Sequence, residues 1–336
     1  MSIKALSIKD IAKKANVSIT TVSFIMNGKG VEKNISAPVI ERVEKIIAED
    51  GFRPNQVARN LRMGTSKIIG LIVEDISNPF FASIARLIED KAYKKGYKII
   101  YSSTENQPGK TKDLINLFKS RQVDAYIIAP SEGAEADIQS LLAEKRPVVL
   151  FDRYLSALDV NYVGIDNFNA SYEAVKQFAK NKKKNIALVT VDIDIEQIND
   201  RLDGYKQALI DHQIEFCDDL VIKMPFNQTK EETIQRLVSL FESHPELDAV
   251  LFATNYLAIS GLMALKQMHK LVNDGFSVIA YDDGDVFKLH TPQISAVVQP
   301  LDEISDHIIN LIFQQLSSKE VLSAQKIILS AKLIER

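Results

Sequence analysis

The chain has 336 residues, is 46% hydrophobic and 25% charged, and carries a net charge of −3. This is the composition of an ordinary globular protein with length for two or three domains, which excludes a disordered or fibrous chain. The charge is unevenly spread: Met1–Ser66 has 11 Lys+Arg against 6 Asp+Glu and the remainder 30 against 38, a head of +5 on a body of −8. That asymmetry suits a chain of which one part meets phosphate. The single Cys217 excludes an intramolecular disulfide and fits a reducing compartment. Met1-Ser-Ile-Lys4 leads into a polar helical pattern, not a signal peptide, so a cytoplasmic location is expected. Apolar runs such as Ile68–Val73 fall far short of the roughly 20 residues that cross a bilayer, so no membrane partner is expected.

Ser7–Ala15 puts Ile8, Ile11, Ala12 and Ala15 on one face of a short helix. Ser7 is its N-cap and Asp10 stands in a capping-box relation. Asn16 interrupts, and Asn tolerates the left-handed conformation of a sharp turn. Ser18 caps a second helix running through Ile19–Met26 to Asn27-Gly28, with small Ala12 at the crossing. The pair reads as a helix-turn-helix or as any helical hairpin. A third helix from Ser36 to Asp50 turns Ile40, Val43 and Ile47 inward and ends at Gly51, completing a minimal core. In a helix-turn-helix the second helix enters the major groove. Ile19, Thr20 and Phe24 are then the base-contact candidates, with Thr21 and Ser23 on phosphates. Phe24 reads alternatively as a core residue, and Lys29 and Lys33 as phosphate contacts or solvated charge.

Arg53–Met63, between Pro54 and Gly64, has length for about two helical turns. Isolated helices below roughly 12–15 residues are marginal in water, so this segment is expected to fold only with a partner, unless it is a plain linker. From Lys67 onward, strand-like apolar runs alternate with helical stretches, a doubly wound α/β pattern with strands enough for two subdomains. Ligands in such sheets bind at the C-terminal strand ends. Those ends carry Asp75, Ser77, Asn78 and Phe80, then Asp152 and Arg153, Asn255 and Tyr256, and Asp282 and Asp283; Arg201 opens a helix and Gln299 ends a late strand. Carboxylates that accept hydroxyl protons, an Arg fork and the faces of Phe80 and Tyr256 compose a polyol site. Each acidic residue reads alternatively as a helix cap or strand-end charge, and Asp166, Asp283 and Asp285 are assigned to structure.

Ser7-Ile-Lys-Asp-Ile-Ala-Lys-Lys-Ala-Asn-Val-Ser-Ile-Thr-Thr-Val-Ser23, Asn27-Gly28, Arg53-Pro-Asn-Gln-Val-Ala-Arg-Asn-Leu61 and Asp75-Ile-Ser-Asn-Pro-Phe-Phe81 together resemble the lactose-repressor/galactose-repressor family of bacterial transcriptional regulators. The resemblance runs over essentially the whole chain. It implies a three-helix DNA-binding head (1–52), a hinge helix (53–66) and a periplasmic-binding-protein-like body (67–336) with three crossovers. These are expected near Gly164–Asp166, Pro292–Ile294 and Leu322–Ala324, giving subdomain 1 as 67–164 and 294–322 and subdomain 2 as 165–293 and 323–336. The expected DNA-contacting set is Ser7, Ser18, Ile19, Thr20, Thr21, Ser23, Phe24, Asn27, Lys29, Asn55, Ala58, Arg59, Leu61 and Arg62. In the family Leu61 would wedge into the minor groove and kink the duplex, with Ala58 at the close helix approach. Arg201, Asn255 and Asp282 match the usual effector contacts, and Asp152 and Gln299 less uniform ones; Asn78, Phe80 and Tyr256 complete the set. Phe24 departs from the polar or basic residue common in the family, and Asn255-Tyr256 replaces its usual Asn-Asp pair, which leaves a sugar or a sugar phosphate open.

His212, His244, His269, His290 and His307 show no metal-ligand spacing, and the chain has no G-x-S-x-G, P-loop or dinucleotide fingerprint. No enzyme, metal or cofactor is therefore expected. The expectation is a homodimeric repressor on a near-palindromic operator, its affinity set by a small molecule, most simply a sugar. The alternatives are a ligand-binding protein with non-specific DNA affinity, or a regulator responding to a nucleobase or a partner protein.

Overall fold

The computed structural model describes residues 7–52, 65–270, 272–273, 275–318 and 320–336. The chain divides into two compact units, 1–66 and 67–336.

The smaller unit holds α1 (Ile8–Ala15), α2 (Ile19–Met26) and α3 (Ala37–Glu49). The Ser7–Asp10 capping box closes the start of α1, and Asn16 leaves it in the left-handed region at φ 53°. Ser18 Oγ accepts from Thr21 N at 3.0 Å and starts α2. Ile11, Ala12, Ala15, Val22, Ile25, Val43 and Phe52 form the buried cluster. Ile40 and Ile47 pack on it only partly buried. A Cβ at Gly30 would lie 2.8 Å from Ile40 Cδ1, so that side chain would have to shift to admit one.

The larger unit alternates strand and helix. In chain order it runs β1 (Ile68–Val73), α4 (Pro79–Lys94), β2 (Lys98–Ser103), α5 (Pro108–Ser120), β3 (Ala125–Ile128), α6 (Glu135–Ala143), β4 (Val148–Phe151) and β5 (Asn161–Ile165). It continues with α7 (Asn167–Lys180), β6 (Ile186–Val191), α8 (Glu196–Asp211), β7 (Val221–Met224), α9 (Lys230–Ser243), β8 (Ala249–Phe252), α10 (Asn255–Gln267) and β9 (Ser277–Tyr281). It closes with α11 (Asp285–Leu289), β10 (Ser295–Val298), α12 (Leu301–Ser317), β11 (Lys326–Leu329) and β12 (Lys332–Ile334). Two six-stranded sheets result, ordered β11-β5-β4-β3-β1-β2 and β12-β10-β9-β8-β6-β7. All neighbours are parallel except β10 and β12.

Each sheet with its helices is a lobe, and the chain passes between lobes three times. The first passage follows β5, where Asp166 caps α7. The other two lie later than the sequence placed them. Residues 294–298 belong to the second lobe, since β10 pairs with β9, and the chain leaves only at Gln299–Pro300 before α12 packs on α4. Residues 323–329 belong to the first lobe, since β11 pairs with β5; the last passage is Ser330–Ala331. Pro292 lies in the turn between α11 and β10, inside the second lobe. A third correction concerns Arg201, which stands in the second turn of α8, because Ile195 and Ile198 are buried and anchor an earlier start.

Candidate functional site

In the smaller unit α2 buries Val22 and Ile25 and turns the opposite stripe outward. Thr20 and Asn27 on that stripe are exposed, Ser23 and Phe24 half-buried, and Ile19 at the helix start is 44% exposed. Phe24 lies outside the buried cluster, with Lys33 Nζ 5.7 Å from its ring centroid, a cation–π distance. Several polar candidates make local bonds. Ser7 Oγ donates to Asp10 at 2.7 Å, Ser18 Oγ and Thr21 Oγ1 are 2.9 Å apart, and Asn27 Nδ2 donates to Ser23 O at 2.6 Å. Lys29 is exposed on the loop after α2. Asn55, Ala58, Arg59, Leu61 and Arg62 lie outside the described residues.

In the larger unit Asn78, Phe80, Asp152, Arg201, Asn255, Tyr256, Asp282 and Gln299 all line one cavity between the lobes. Strand ends deliver them. Asp152 follows β4 and Asp282 follows β9, the equivalent strands of the two sheets, and both take the left-handed region at φ 63° and 61°. Asn78 caps α4 by accepting from Phe80 N at 3.1 Å and also accepts from Asn255 Nδ2 of the other lobe at 2.8 Å. Asp152 accepts from Gln197 Nε2 across the cleft at 3.4 Å, and Asp282 accepts from Gln299 Nε2 at 2.7 Å.

Arg201 is 4% exposed and faces the ring of Tyr281, its guanidinium carbon 4.0 Å from the centroid. Its Nε donates to Asn167 Oδ1 at 2.8 Å and its Nη1 to Ala253 O. Burial pushes the Asp152 carboxyl up to about 7, against the pull of Arg201 and with a further push from Asp282. Burial raises Asp282 too, while Arg201 and the Gln299 bond lower it.

The cavity also takes Arg153, a strand-end candidate outside the expected effector set, and Glu74, Phe81, Ile195, Gln197 and Ile198, none of which the sequence put in the site. Arg153 was visible as a strand-end residue. It pairs with Glu74 and Asn106, donates to Pro130 O at 3.3 Å, and is 4% exposed. Glu74 directly follows β1, so the rule that found Asp152 reaches it as well. Gln197 carries no such signal, because it lies in the turn of α8 that polar residues disguise. Asp75 and Ser77 bond one another at 2.7 Å and stay out of the cavity.

The cavity holds about 40 Å³, far below the roughly 300–1,000 Å³ of small-molecule sites. Asn106, Glu132, Asp192 and Phe226 line an adjoining mouth of about 300 Å³, reached past Arg153, Ile193 and Ile195. Tyr154 OH lies 3.5 Å from Asp200 Oδ2 and Glu196 accepts from Ser156 N at 3.2 Å, adding two contacts between the lobes. Among the described residues no helix is long and apolar enough to cross a membrane.

Residues 7–55 match the family described as bacterial regulatory proteins, lacI family, and residues 69–317 a periplasmic binding protein domain. Catabolite control protein A of Priestia megaterium is 30% identical over 322 residues, 95% of each chain. A LacI family transcriptional regulator from Enterococcus faecium, solved with bound ribose, is 27% identical with a TM-score of 0.70, covering 80% of this chain and 97% of that one. The lac repressor dimer bound to operator and the anti-inducer ONPF has the same fold, with a TM-score of 0.82 over 99% and 98% of the two chains at 20% identity.

Proposed function

The chain belongs to the lacI family of bacterial regulatory proteins, and from that premise we propose that it is a homodimeric repressor whose hold on a near-palindromic operator is set by a sugar bound between its lobes. The observation that carries the effector half is convergence: seven strand-end residues and Arg201 of α8, far apart in sequence and from both lobes, line one cavity. Two carboxylates, three amides and an arginine there offer a polyol the acceptors and donors it needs. The ribose bound to the E. faecium regulator and the operator bound to the lac repressor dimer support the same assignment of ligand and DNA.

The DNA half rests on the outward stripe of α2. Thr20, Phe24 and Ile19 offer mostly apolar surface to base edges, which favours operators with thymine methyls at those positions. Arg201 bonds Asn167 at the first passage between lobes, and Asp282 bonds Gln299 at the second. A ligand that engages Arg201 and Asp282 therefore pulls on the segments about which the lobes turn. Acting on DNA places the protein in the cytoplasm, and the cleft is assigned binding without turnover.

Gel-shift titration against operator-containing and scrambled duplexes, with and without candidate sugars, tests the whole reading. Equal affinity for both duplexes would reject a specific regulator. Leu61→Ala is expected to keep fold and sugar affinity and lose operator discrimination; unchanged discrimination would reject the wedge.

A further inference from the structure

The cavity's hydrogen-bonding polarity narrows what fits it. Asn78 Oδ1 accepts from both Phe80 N and Asn255 Nδ2, which fixes the orientation of both amides. Asn255 Oδ1 is thereby left buried and without a partner. Gln197 gives its Nε2 to Asp152, and its Oε1 is likewise buried and unpartnered. Gln299 gives its Nε2 to Asp282. Three amides thus each give one N–H to the protein and keep a second. Asn255 and Gln197, each about 95% buried, leave bare acceptors at the cavity beside two carboxylates, while Arg153 Nε, Asn106 Nδ2 and Thr254 Oγ1 are buried there without a hydrogen-bond partner as well. A buried acceptor left unsatisfied is costly, so the ligand that fits brings donors as well as acceptors.

Charge points the same way. Glu74, Glu132, Asp152, Asp192 and Asp282 line the cavity and its mouth, against Arg153 and Arg201 among the described residues. With one deep carboxylate protonated the balance is still negative. Both arginines already face carboxylates: Arg153 is paired with Glu74 and has its Nε 3.7 Å from Asp152, and Arg201 gives two of its N–H groups to Asn167 and Ala253 O while facing Asp152 and Asp282. The helix starts at the cleft add little for an anion, because Asn78 caps α4 and Glu196 stands in the first turn of α8. α8 and α10 both begin there without a side-chain cap bond, at Ile195 and Thr254, and at α8 the Glu196 carboxylate opposes an anion.

We infer that the effector is an uncharged, donor-rich polyhydroxyl compound, a free saccharide and not its phosphate. This rests on the reading of the cleft as the effector site. A phosphate brings about −1.5 to −2 charges and only acceptor oxygens, so it meets like charge and bare acceptors at once.

Isothermal titration of the full-length protein with matched pairs is the test: ribose and ribose 5-phosphate, glucose and glucose 6-phosphate, sucrose and sucrose 6-phosphate, with inorganic phosphate alongside. The expected result is that a neutral member binds, its phosphate is weaker by about tenfold or more, and inorganic phosphate gives no saturable heat. A phosphorylated member that binds more tightly than its parent overturns this inference and leaves the effector cleft standing. Silence from every saccharide, neutral and phosphorylated, overturns the saccharide reading and this inference with it.

Discussion

Asp152 and Asp282 show how a single residue is shaped by its place. Each follows an aromatic residue at a strand end, and each adopts a left-handed backbone that costs a non-glycine residue about 1–3 kcal/mol. Their burial has a consequence for pH. The groups facing Asp152 are Arg201 and Gln197 from α8, Asp282 from β9, and Arg153 Nε at 3.7 Å. The folded pKa of about 7 lies above the ordinary carboxyl value of 3.8, so the folded state holds a proton that the unfolded chain releases. Stability from this site is full below about pH 4 and is lost as pH rises through about 7. The melting temperature of the ligand-free protein is expected to fall between about pH 5 and 8, and Asp152→Asn to flatten that fall. Scanning calorimetry on both proteins checks this, and parallel curves would assign the decline elsewhere. Arg201→Ala is expected to leave operator binding intact and abolish the sugar response. A normal response in gel-shift titrations with sugar would remove Arg201 from the effector site.

Elements place those residues. Gly204 lies against α7, where an added Cβ would sit 2.1 Å from the backbone oxygen of Phe168. That close approach carries Arg201, one turn earlier, to Asn167 at the start of α7. Gly204→Ala is expected to cost about 1–3 kcal/mol and to weaken sugar binding although every contacting residue is kept. Chemical denaturation with sugar titration measures both, and a loss of stability alone would detach α8 packing from the site. The sequence disclosed the elements that are buried on both faces. Ile68–Val73, Val148–Phe151 and Ala249–Phe252 are apolar throughout and read directly as central parallel strands. It hid the edges. Val221–Met224, Lys326–Leu329 and Lys332–Ile334 are three or four residues long, half-exposed and interrupted by lysine, so nothing in them separates strand from loop. β11, unread in this way, belongs to the first lobe, so the last passage lies beyond it. The site was legible wherever a strand end or the family motif marked it. Gln197 was not marked, because its role comes from a partner distant in sequence, whereas Glu74 stood at a strand end and went unread.

At the scale of the molecule the lobes meet closely. Asn78–Asn255, Asp152–Gln197, Tyr154–Asp200 and Ser156–Glu196 bridge them, and the 40 Å³ between is too small for a saccharide. The cleft must open for a sugar to enter. Glu196→Ala removes a bridge at the outer edge without touching the deep contacts, and is expected to raise the sugar association rate about two- to fivefold. Stopped-flow tyrosine fluorescence suits a chain without tryptophan, and an unchanged rate would show that this bridge does not limit opening.

The three passages between lobes also bear on how such a body is inherited and made. Neither lobe is encoded by one uninterrupted stretch: the first takes 68–165 together with α12 and β11, the second takes the interval between and then β12. Recombination within the body that exchanges only one end of the gene would mix strands of two parents inside a single sheet. Synthesis meets the same constraint, since β5 waits for β11 and β10 for β12 across some 160 and 35 residues of later chain. The body is thus exchanged and folded whole, while the head, finished within the first 66 residues, is free to be swapped for another reader.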